Sequence, residues 1–301
     1  MKETCDMHIH TSNSDGNLSS EELLQYAKTR GLNKLAITDH DCVDFYLDEK
    51  IVNMLKDFDY VTGCEFVCAY GDVPIEMLGY GIDVKIAKKY LDKNGINENR
   101  VERYRSEKVP EVFAKHGIVL DYDSSSIDFT KRCPMVLEKL YEVVLQTPEA
   151  VDFLYNENPN LINSVSSFLR EGLNNPASKI FIETHKLYPT YNKIIAVIKE
   201  LGGLSFLAHP YQYGENMNSV LEGVKNHVDG IECYHYSSRD KEKSDYLKQF
   251  CKNNNLMISG GSDFHIYDPE FDDLLNKLDV PAKCFDEIKT RLNIQQQQKE
   301  L

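Results

Sequence analysis

Short apolar segments that end in histidine or carboxylate residues are the feature that most constrains the fold of this chain. These segments are residues 35–38 before His40, residues 60–64 before Glu65, residues 204–208 before His209, and residues 256–259 before Asp263 and His265. Helical patterns lie between them, and strands that alternate with helices predict a parallel α/β sheet or barrel. In such barrels the active site lies at the carboxyl ends of the strands. We therefore expect these side chains to meet at one site.

Two further imidazoles lie near the N-terminus, at His8 and His10. Residues two apart on a strand point to the same face, so both rings can reach one metal ion. Asp15 follows in a turn-forming sequence that can direct its carboxylate to the same place. Imidazole and carboxylate ligands without thiolate suit Zn²⁺, Mn²⁺ or Fe²⁺. The clustering predicts a site for two or three divalent ions, because so many hydrogen-bonded core histidines at strand ends would be improbable.

The other histidines lie outside this pattern. His116 and His227 are expected on the surface or on helices. His185 is a candidate substrate contact, and His235 follows a strand and is a candidate pocket residue.

Composition excludes several classes of function. The formal net charge of −14 weighs against non-specific binding of long nucleic acid. We find no run of 18 apolar residues and no apolar signal-peptide core, so neither a membrane span nor export is expected. The 8 cysteines show no paired framework, which favours reduced thiols and a cytoplasmic location. Neither a P-loop sequence nor a GxSxG elbow occurs.

Residues 85–190 differ from the rest, since helical patterns rich in Lys, Glu, Asn and Tyr dominate there. We predict a barrel unit of residues 1–84 and 191–301 and a helical insertion of residues 85–190. The insertion can either cap a substrate site or only stabilise the fold, and the sequence leaves both open.

Five motifs in this chain resemble the ligand motifs of the polymerase and histidinol phosphatase (PHP) family, in the family's order. They are residues 6–16, 36–41, 63–65, 208–210 and 261–265. The resemblance implies a distorted (β/α)7 barrel with a helical cap insertion and a trinuclear metal centre. It also implies a first ion at His8, His10, Glu65 and Asp263, a second at Glu65, Glu76 and His209, and a third at Asp15, His40 and His265. Glu76 stands where the family commonly has histidine, which favours Mn²⁺ or Fe²⁺ at the second position.

The insertion resembles one branch of the family, which contains phosphatases for 3′,5′-nucleoside bisphosphates and cyclic ribose phosphates and enzymes that trim short RNA from the 5′ end. This resemblance implies hydrolysis of a small phosphorylated nucleotide or sugar. We expect a metal-bound hydroxide to attack phosphorus, with Asp263 and His209 as catalytic residues. Arg132 is a candidate phosphate ligand or, alternatively, part of a structural salt bridge.

Other functions stay open at this point. One is histidinol-phosphate phosphatase, and another is a 5′–3′ exonuclease on short RNA, or a proofreading exonuclease that acts in trans. A non-enzymatic module with a degenerate metal site is the alternative from another class. The sequence leaves the oligomeric state open.

Overall fold

The fold is a mixed α/β arrangement, seen in a computed structural model that describes residues 4–94, 98–129, 136–266 and 275–299. The strands in these residues are β1 (Lys34–Leu35), β2 (Asp59–Tyr60), β3 (Gly63–Tyr70), β4 (Val73–Tyr80), β5 (Leu204–Leu207), β6 (Gly230–Tyr234) and β7 (Met257–Gly260). β1 and β2 form a parallel pair, and the other five form one sheet in the order β3-β4-β5-β6-β7.

This sheet is not parallel throughout, which corrects the expectation of an all-parallel sheet. β3 and β4 form an antiparallel hairpin in which Gly63 lies opposite Tyr80, and β4 is also antiparallel to β5. Gly71 turns the hairpin with φ of +58°, a left-handed conformation that glycine adopts without steric cost. Within this sheet of the described residues, β5, β6 and β7 run parallel to one another.

No closed barrel of paired strands forms within the described residues, so the structure shows a mixed α/β fold and the distorted (β/α)7 barrel stays a prediction. The gap between β7 and β3 is bridged by single residue pairs: Asp6 with Leu35, Ile9 with Phe264, and His40 with Glu65. In one of these segments Asp263 has a φ of +54°, which is outside the extended region and interrupts regular strand pairing.

Eleven α-helices occur in the described residues. They are α1 (Ser20–Thr29), α2 (Glu49–Met54), α3 (Val84–Asn94), α4 (Glu98–Lys115), α5 (Val136–Gln146), α6 (Pro148–Glu157), α7 (Val165–Ser167), α8 (Tyr191–Glu200), α9 (Met217–Val224), α10 (Lys241–Asn254) and α11 (Ala282–Lys299). α1 begins at a capping box in which Ser19 and Glu22 bond to each other's backbone, as its sequence indicates. None of the helices in the described ranges combines the length and apolar composition needed to cross a bilayer.

The helical region has a hydrophobic cluster of its own, formed by residues between Val109 and Ile182. α3 packs elsewhere: its residues Ala87 and Leu91 belong to the hydrophobic cluster around the five-stranded sheet. Leucine and alanine on one face of α3 therefore tie the start of the region to the sheet. The division into a barrel unit and an insertion of residues 85–190 stays a prediction.

Cysteines are buried rather than cross-linked. None of the seven in the described residues forms a disulfide, and Cys64 and Cys68 are fully enclosed on β3. Burial raises the pKa of both thiols well above the ordinary value, which keeps them protonated.

Candidate metal centre

The nine candidate ligands converge in space. Glu65 lies near the start of β3 and Glu76 within β4, and the other seven lie outside the regular strands. Donor atoms of eight of them form three overlapping groups, and within each group one atom per residue lies within 4.8 Å of the others. The first group is His8, His10, Glu65 and Asp263, the second is His40, Glu65 and Glu76, and the third is His10, Asp15, His40 and His265.

The first group is fully enclosed apart from the edge of Asp263. Nε2 of His8 lies 3.0 Å from Glu65 Oε2 and 3.3 Å from Asp263 Oδ1. Nε2 of His10 lies 3.3 Å and 3.2 Å from the same two oxygens. Ligands about 2.1 Å from a tetrahedral ion lie about 3.4 Å from one another. The four atoms are therefore spaced as ligands of one ion would be.

Glu65 and His209 join this group to the second. Nε2 of His209 lies 3.1 Å from Glu65 Oε1 and 3.1 Å from Glu76 Oε2. His40 Nδ1 lies 3.3 Å from Glu65 Oε2. The carboxylate of Glu65 thus contacts both groups and can bridge two ions.

The third group opens toward solvent. Asp15 and His265 are about a quarter exposed, and their side chains meet at 3.1 Å. His40 Nε2 lies 3.7 Å from Asp15 Oδ2, and His10 Nδ1 lies 3.5 Å from Asp15 Oδ1. His10 therefore faces the first group with one ring nitrogen and this group with the other.

Unpartnered donors support the fit of metal ions. Both ring nitrogens of His10, and Nδ1 of His40 and His209, are buried without a hydrogen-bond partner. Buried polar atoms in proteins are nearly always satisfied, so these atoms need a ligand. Imidazole nitrogens and carboxylate oxygens are suitable donors for Zn²⁺, Mn²⁺ or Fe²⁺.

The protonation of each residue in the cluster depends strongly on the charges of its neighbours. Burial opposes ionisation, but the imidazoles around Glu65 and Asp263 hold the pKa of both carboxyls well below the ordinary range. Burial likewise opposes the charged form of His40 and His209, yet neighbouring carboxylates raise the pKa of each ring to about 9. Without cations, protons on the rings balance the carboxylates, and metal binding would release those protons.

Backbone geometry brings the ligands together. His209 has a φ of +24° and Asp263 a φ of +54°, both in the left-handed region that most side chains avoid. A Cβ on Gly261 would lie 2.3 Å from the backbone nitrogen of His8, so only glycine allows these segments to approach. Such local strain is typical of functional sites.

Two buried aspartates hold the ligand loops. Asp39 accepts hydrogen bonds from the backbone and hydroxyl of Thr11 at 2.7 Å each and from Ser14 Oγ at 2.7 Å, which shapes the turn before Asp15. Asp6 accepts from the backbone N–H of Ser262 at 2.9 Å.

A cavity of about 530 Å³ lies over the metal groups. Part of its lining comes from the candidate ligands, and another part comes from the helical region. The cationic lining residues all belong to that region: Lys88, Arg100, Arg105 and Arg170. Arg170 reaches furthest, since its guanidinium lies 3.6 Å from Glu76 Oε2.

Arg170 is a functional candidate that sequence reasoning missed. It lies in a π-helix, Phe168–Leu173, and such helices occur frequently at functional sites. Residues 168–179 resemble an insertion segment of the family branch, but a helical pattern does not distinguish a π-helix from an α-helix, so the sequence did not single out this arginine.

The other predicted side chains lie elsewhere. His185 contacts Asp72 at 3.3 Å and stacks on Phe181, and it does not line the cavity. Arg132 lies outside the described residues. His235 does approach the cluster, with Nε2 3.1 Å from Asp263 Oδ2. His116 and His227 are exposed, as expected.

Comparisons with known proteins agree with this geometry. The family model of the PHP domain matches residues 6–258. A 3′,5′-nucleoside bisphosphate phosphatase from Chromobacterium violaceum is 23% identical over 93% of this chain and 93% of its own length. A 5′–3′ exoribonuclease from Haemophilus influenzae is 24% identical over 88% and 91%. A phosphoribosyl 1,2-cyclic phosphate 1,2-diphosphodiesterase from Eggerthella lenta is 23% identical over 86% and 93%.

Solved structures share the fold. A Bifidobacterium adolescentis protein, described provisionally as a metal-dependent phosphoesterase, superposes with a TM-score of 0.66 at 19% identity over 96% of both chains. A Chromobacterium violaceum amidohydrolase with bound sulfate has the same TM-score, 0.66, at 20% identity and the same 96% coverage. The family model covers most of this sequence, and the chain brings together the ligand clusters described above. The chain therefore belongs to the PHP-domain family and is a metal-dependent hydrolase.

Proposed function

We propose that this protein hydrolyses the phosphomonoester of a small phosphorylated nucleotide or sugar, such as a 3′,5′-nucleoside bisphosphate. The observation that carries the proposal is the cavity of about 530 Å³, which joins three groups of metal-ligand atoms to a set of cationic side chains. Its volume falls in the usual range for small-molecule sites.

The metal assignment starts from the three groups, gives each shared imidazole to one ion, and adds His209 to the second because it contacts Glu65 and Glu76. His8, His10, Glu65 and Asp263 would hold one ion, Glu65, Glu76 and His209 a second, and Asp15, His40 and His265 a third. Divalent ions in such clusters supply positive charge for phosphate oxygens and make water more acidic. Zn²⁺, Mn²⁺ and Fe²⁺ all suit these donors, and the carboxylate of Glu76 favours the last two at its position.

Arg170 has the geometry to orient the scissile phosphate. Its guanidinium is 3.6 Å from Glu76 and therefore lies at the edge of the metal cluster. Two parallel N–H groups of arginine match two phosphate oxygens, which fixes orientation as well as charge. Arg170 is therefore our candidate for the phosphate contact, and Arg132, outside the described residues, stays a prediction.

Asp263 and His209 are the candidates for proton transfer. Oδ1 of Asp263 faces the first metal group, while Oδ2 accepts a hydrogen bond from His235 Nε2 at 3.1 Å. His209 Nε2 lies between Glu65 and Glu76. Asp263 can take up a proton on Oδ2, the oxygen outside the first metal group, whereas Nε2 of His209 can do so only while it binds no ion.

The helical part of the cavity favours a substrate with charge beyond the scissile phosphate. Lys88, Arg100 and Arg105 line it, together with apolar residues such as Leu91 and Leu169. Carboxylates line it too, since Lys88 pairs with Asp44 and Asp92 and Arg105 pairs with Glu102. A second phosphate of a nucleoside substrate would compete with these carboxylates for the cations, while the nucleoside would contact the apolar side chains. The names of the relatives from Chromobacterium violaceum and Eggerthella lenta support the same substrate class.

A second candidate is 5′–3′ hydrolysis of short RNA, which the name of the Haemophilus influenzae relative supports. Histidinol phosphate remains an alternative substrate. The net charge of −14 favours small substrates over long nucleic acid. A cytoplasmic location is part of this proposal.

Phosphate release from a substrate panel tests the function, together with chromatography for mononucleotide and ring-opened products, which form without free phosphate. The panel contains 3′,5′-adenosine bisphosphate, a 5′-phosphorylated dinucleotide, histidinol phosphate and a cyclic ribose phosphate, each with Mn²⁺, Zn²⁺ or Fe²⁺. We expect the bisphosphate to be turned over with the highest kcat/KM. Preference for histidinol phosphate or the dinucleotide would replace the proposed substrate, and no release from any compound would refute the proposal. His8→Ala serves as the inactive variant and His227→Ala, at an exposed histidine, as the matched control.

A further inference from the structure

Glu232 is a buried carboxylate to which the metal assignment gives no role. It lies within β6 between Ile231 and Cys233, and no part of it is exposed. A carboxylate removed from water is strongly unfavourable unless other groups satisfy its oxygens. The partners of its two oxygens therefore indicate what it does.

One oxygen contacts the far side of a candidate ligand. Oε1 of Glu232 lies 3.0 Å from Nδ1 of His8. The other ring nitrogen, Nε2, lies 3.0 Å from Glu65 Oε2 and 3.3 Å from Asp263 Oδ1. An ionised carboxylate only accepts hydrogen bonds, so it favours the ring tautomer with the proton on Nδ1. The lone pair of Nε2 then points into the first metal group.

The second oxygen contacts the backbone of another candidate ligand. Oε2 of Glu232 accepts the N–H of His209 at 2.8 Å. His209 has a left-handed φ of +24°, a conformation that costs free energy in a residue with a side chain. This hydrogen bond stabilises the backbone that directs the His209 ring between Glu65 and Glu76.

We infer that Glu232 is a positioning residue that fixes the ring tautomer of His8 and the backbone of His209, and thereby prepares two of the three metal groups together. The inference rests on the proposed function, because it takes Nε2 of His8 as a metal ligand. A carboxylate behind a ligating imidazole orients the ring and raises its basicity. Glu232 would do this for one ligand and hold the main chain of another.

Glu232→Gln tests the role because it keeps the shape of the side chain and changes only the hydrogen-bonding pattern. If the amide oxygen accepts from His209, the amide NH₂ faces His8 and favours the tautomer with the proton on Nε2. That tautomer has no lone pair for an ion. We expect the affinity of the metal-free protein for Zn²⁺ or Mn²⁺, measured by calorimetric titration, to fall by about 10- to 100-fold.

Cys233→Ala is the matched control, since it alters a buried neighbour on the same strand whose thiol contacts Cys251. We expect Cys233→Ala to bind ions like the wild type. Unchanged ion affinity in Glu232→Gln would overturn the inference while leaving the proposed function intact. A wild-type protein that binds no ion at all would refute both the inference and the proposed function.

A measurement on the wild type needs no substitution. In protein labelled with ¹⁵N-histidine and loaded with Zn²⁺, we expect the His8 ring to carry its proton on Nδ1. A proton on Nε2 of His8 would contradict the inference, whatever the stability of the variant. A merely structural role for Glu232 would not set this tautomer.

Discussion

Glu65 is the residue on which the metal centre depends most, because its carboxylate contacts four imidazoles. The distances are 3.0 Å to His8, 3.3 Å to His10, 3.3 Å to His40 and 3.1 Å to His209. Its position at the start of β3, bridged to His40 in the neighbouring segment, holds the carboxylate at the centre of the cluster. Arg170 is the complementary residue, since it brings positive charge from the helical region.

Replacing Glu65 by Gln should remove the bridge between two ions. We expect the metal content to fall and kcat/KM to decrease. Loss of a residue that only supports a metal ligand costs roughly 10- to 100-fold, and the decrease for Glu65→Gln should be larger than this. Elemental analysis and phosphate release measure the two effects. Glu222→Gln, at an exposed position on α9, is the control, and full metal occupancy in Glu65→Gln would contradict the assignment.

Replacing Arg170 by Ala should weaken substrate binding without loss of metal. A hydrogen bond to a charged group contributes about 1.5–3 kcal/mol, so kcat/KM should fall by roughly 10- to 100-fold. Arg170→Lys should recover only part of this loss, because lysine does not bind two oxygens in parallel. Arg291→Ala on α11 is the matched control; equal kinetics for Arg170→Ala and wild type would exclude contact with the phosphate.

At the scale of elements, the sequence predicts the positions of the strands near the ligand residues. It does not predict equally well how these strands pair with one another. β5 and β7 occupy the expected segments, since each is a short apolar run. The antiparallel pairing of β3 and β4 was not expected, although Gly71-Asp72 between two apolar runs is a two-residue hairpin signal. The distorted barrel stays a prediction, because single residue pairs rather than paired strands connect β7 to β3 in the described residues. The ligand motifs themselves could be identified from the sequence because histidine and carboxylate residues are unusual at strand ends.

The close approach of Gly261 to the backbone of His8 leads to a prediction for the segments that carry the ligands. Gly261→Ala would force its Cβ against the backbone of His8, where only 2.3 Å is available. We expect the segments that carry His8 and Asp263 to separate, with lower metal affinity and a lower unfolding temperature. Gly71→Ala is the control: it meets nothing within 4 Å, so it should cost only about 1–2 kcal/mol for its left-handed φ. Normal metal affinity in Gly261→Ala would contradict this view of the site.

For the whole molecule, the cluster makes stability depend on both pH and metal. The raised pKa values of His40, His209 and His265, about 9, exceed the ordinary value of 6.5. Their contribution is therefore complete below about pH 6.5 and is lost as pH rises through about 9. The lowered pKa values of Glu65 and Asp263 act in the opposite direction, because their contribution is lost as the pH falls toward the acid range.

Metal-free protein should consequently lose thermal stability between about pH 6.5 and pH 9, as the imidazoles lose their protons. Metal-loaded protein should lose much less over this range, because bound cations replace those protons as partners of the carboxylates. Thermal unfolding with and without a chelator measures both curves. Identical pH profiles would show that the histidines do not bind the ions.

The most direct test of the central claim is hydrolysis of 3′,5′-adenosine bisphosphate by one protein preparation, first stripped of metal and then titrated with Mn²⁺. We predict no phosphate release from the stripped protein and activity that rises with bound Mn²⁺ until two or three ions are bound per chain. Phosphate release that is independent of metal, or full loading without release from any small phosphate ester, would contradict the account.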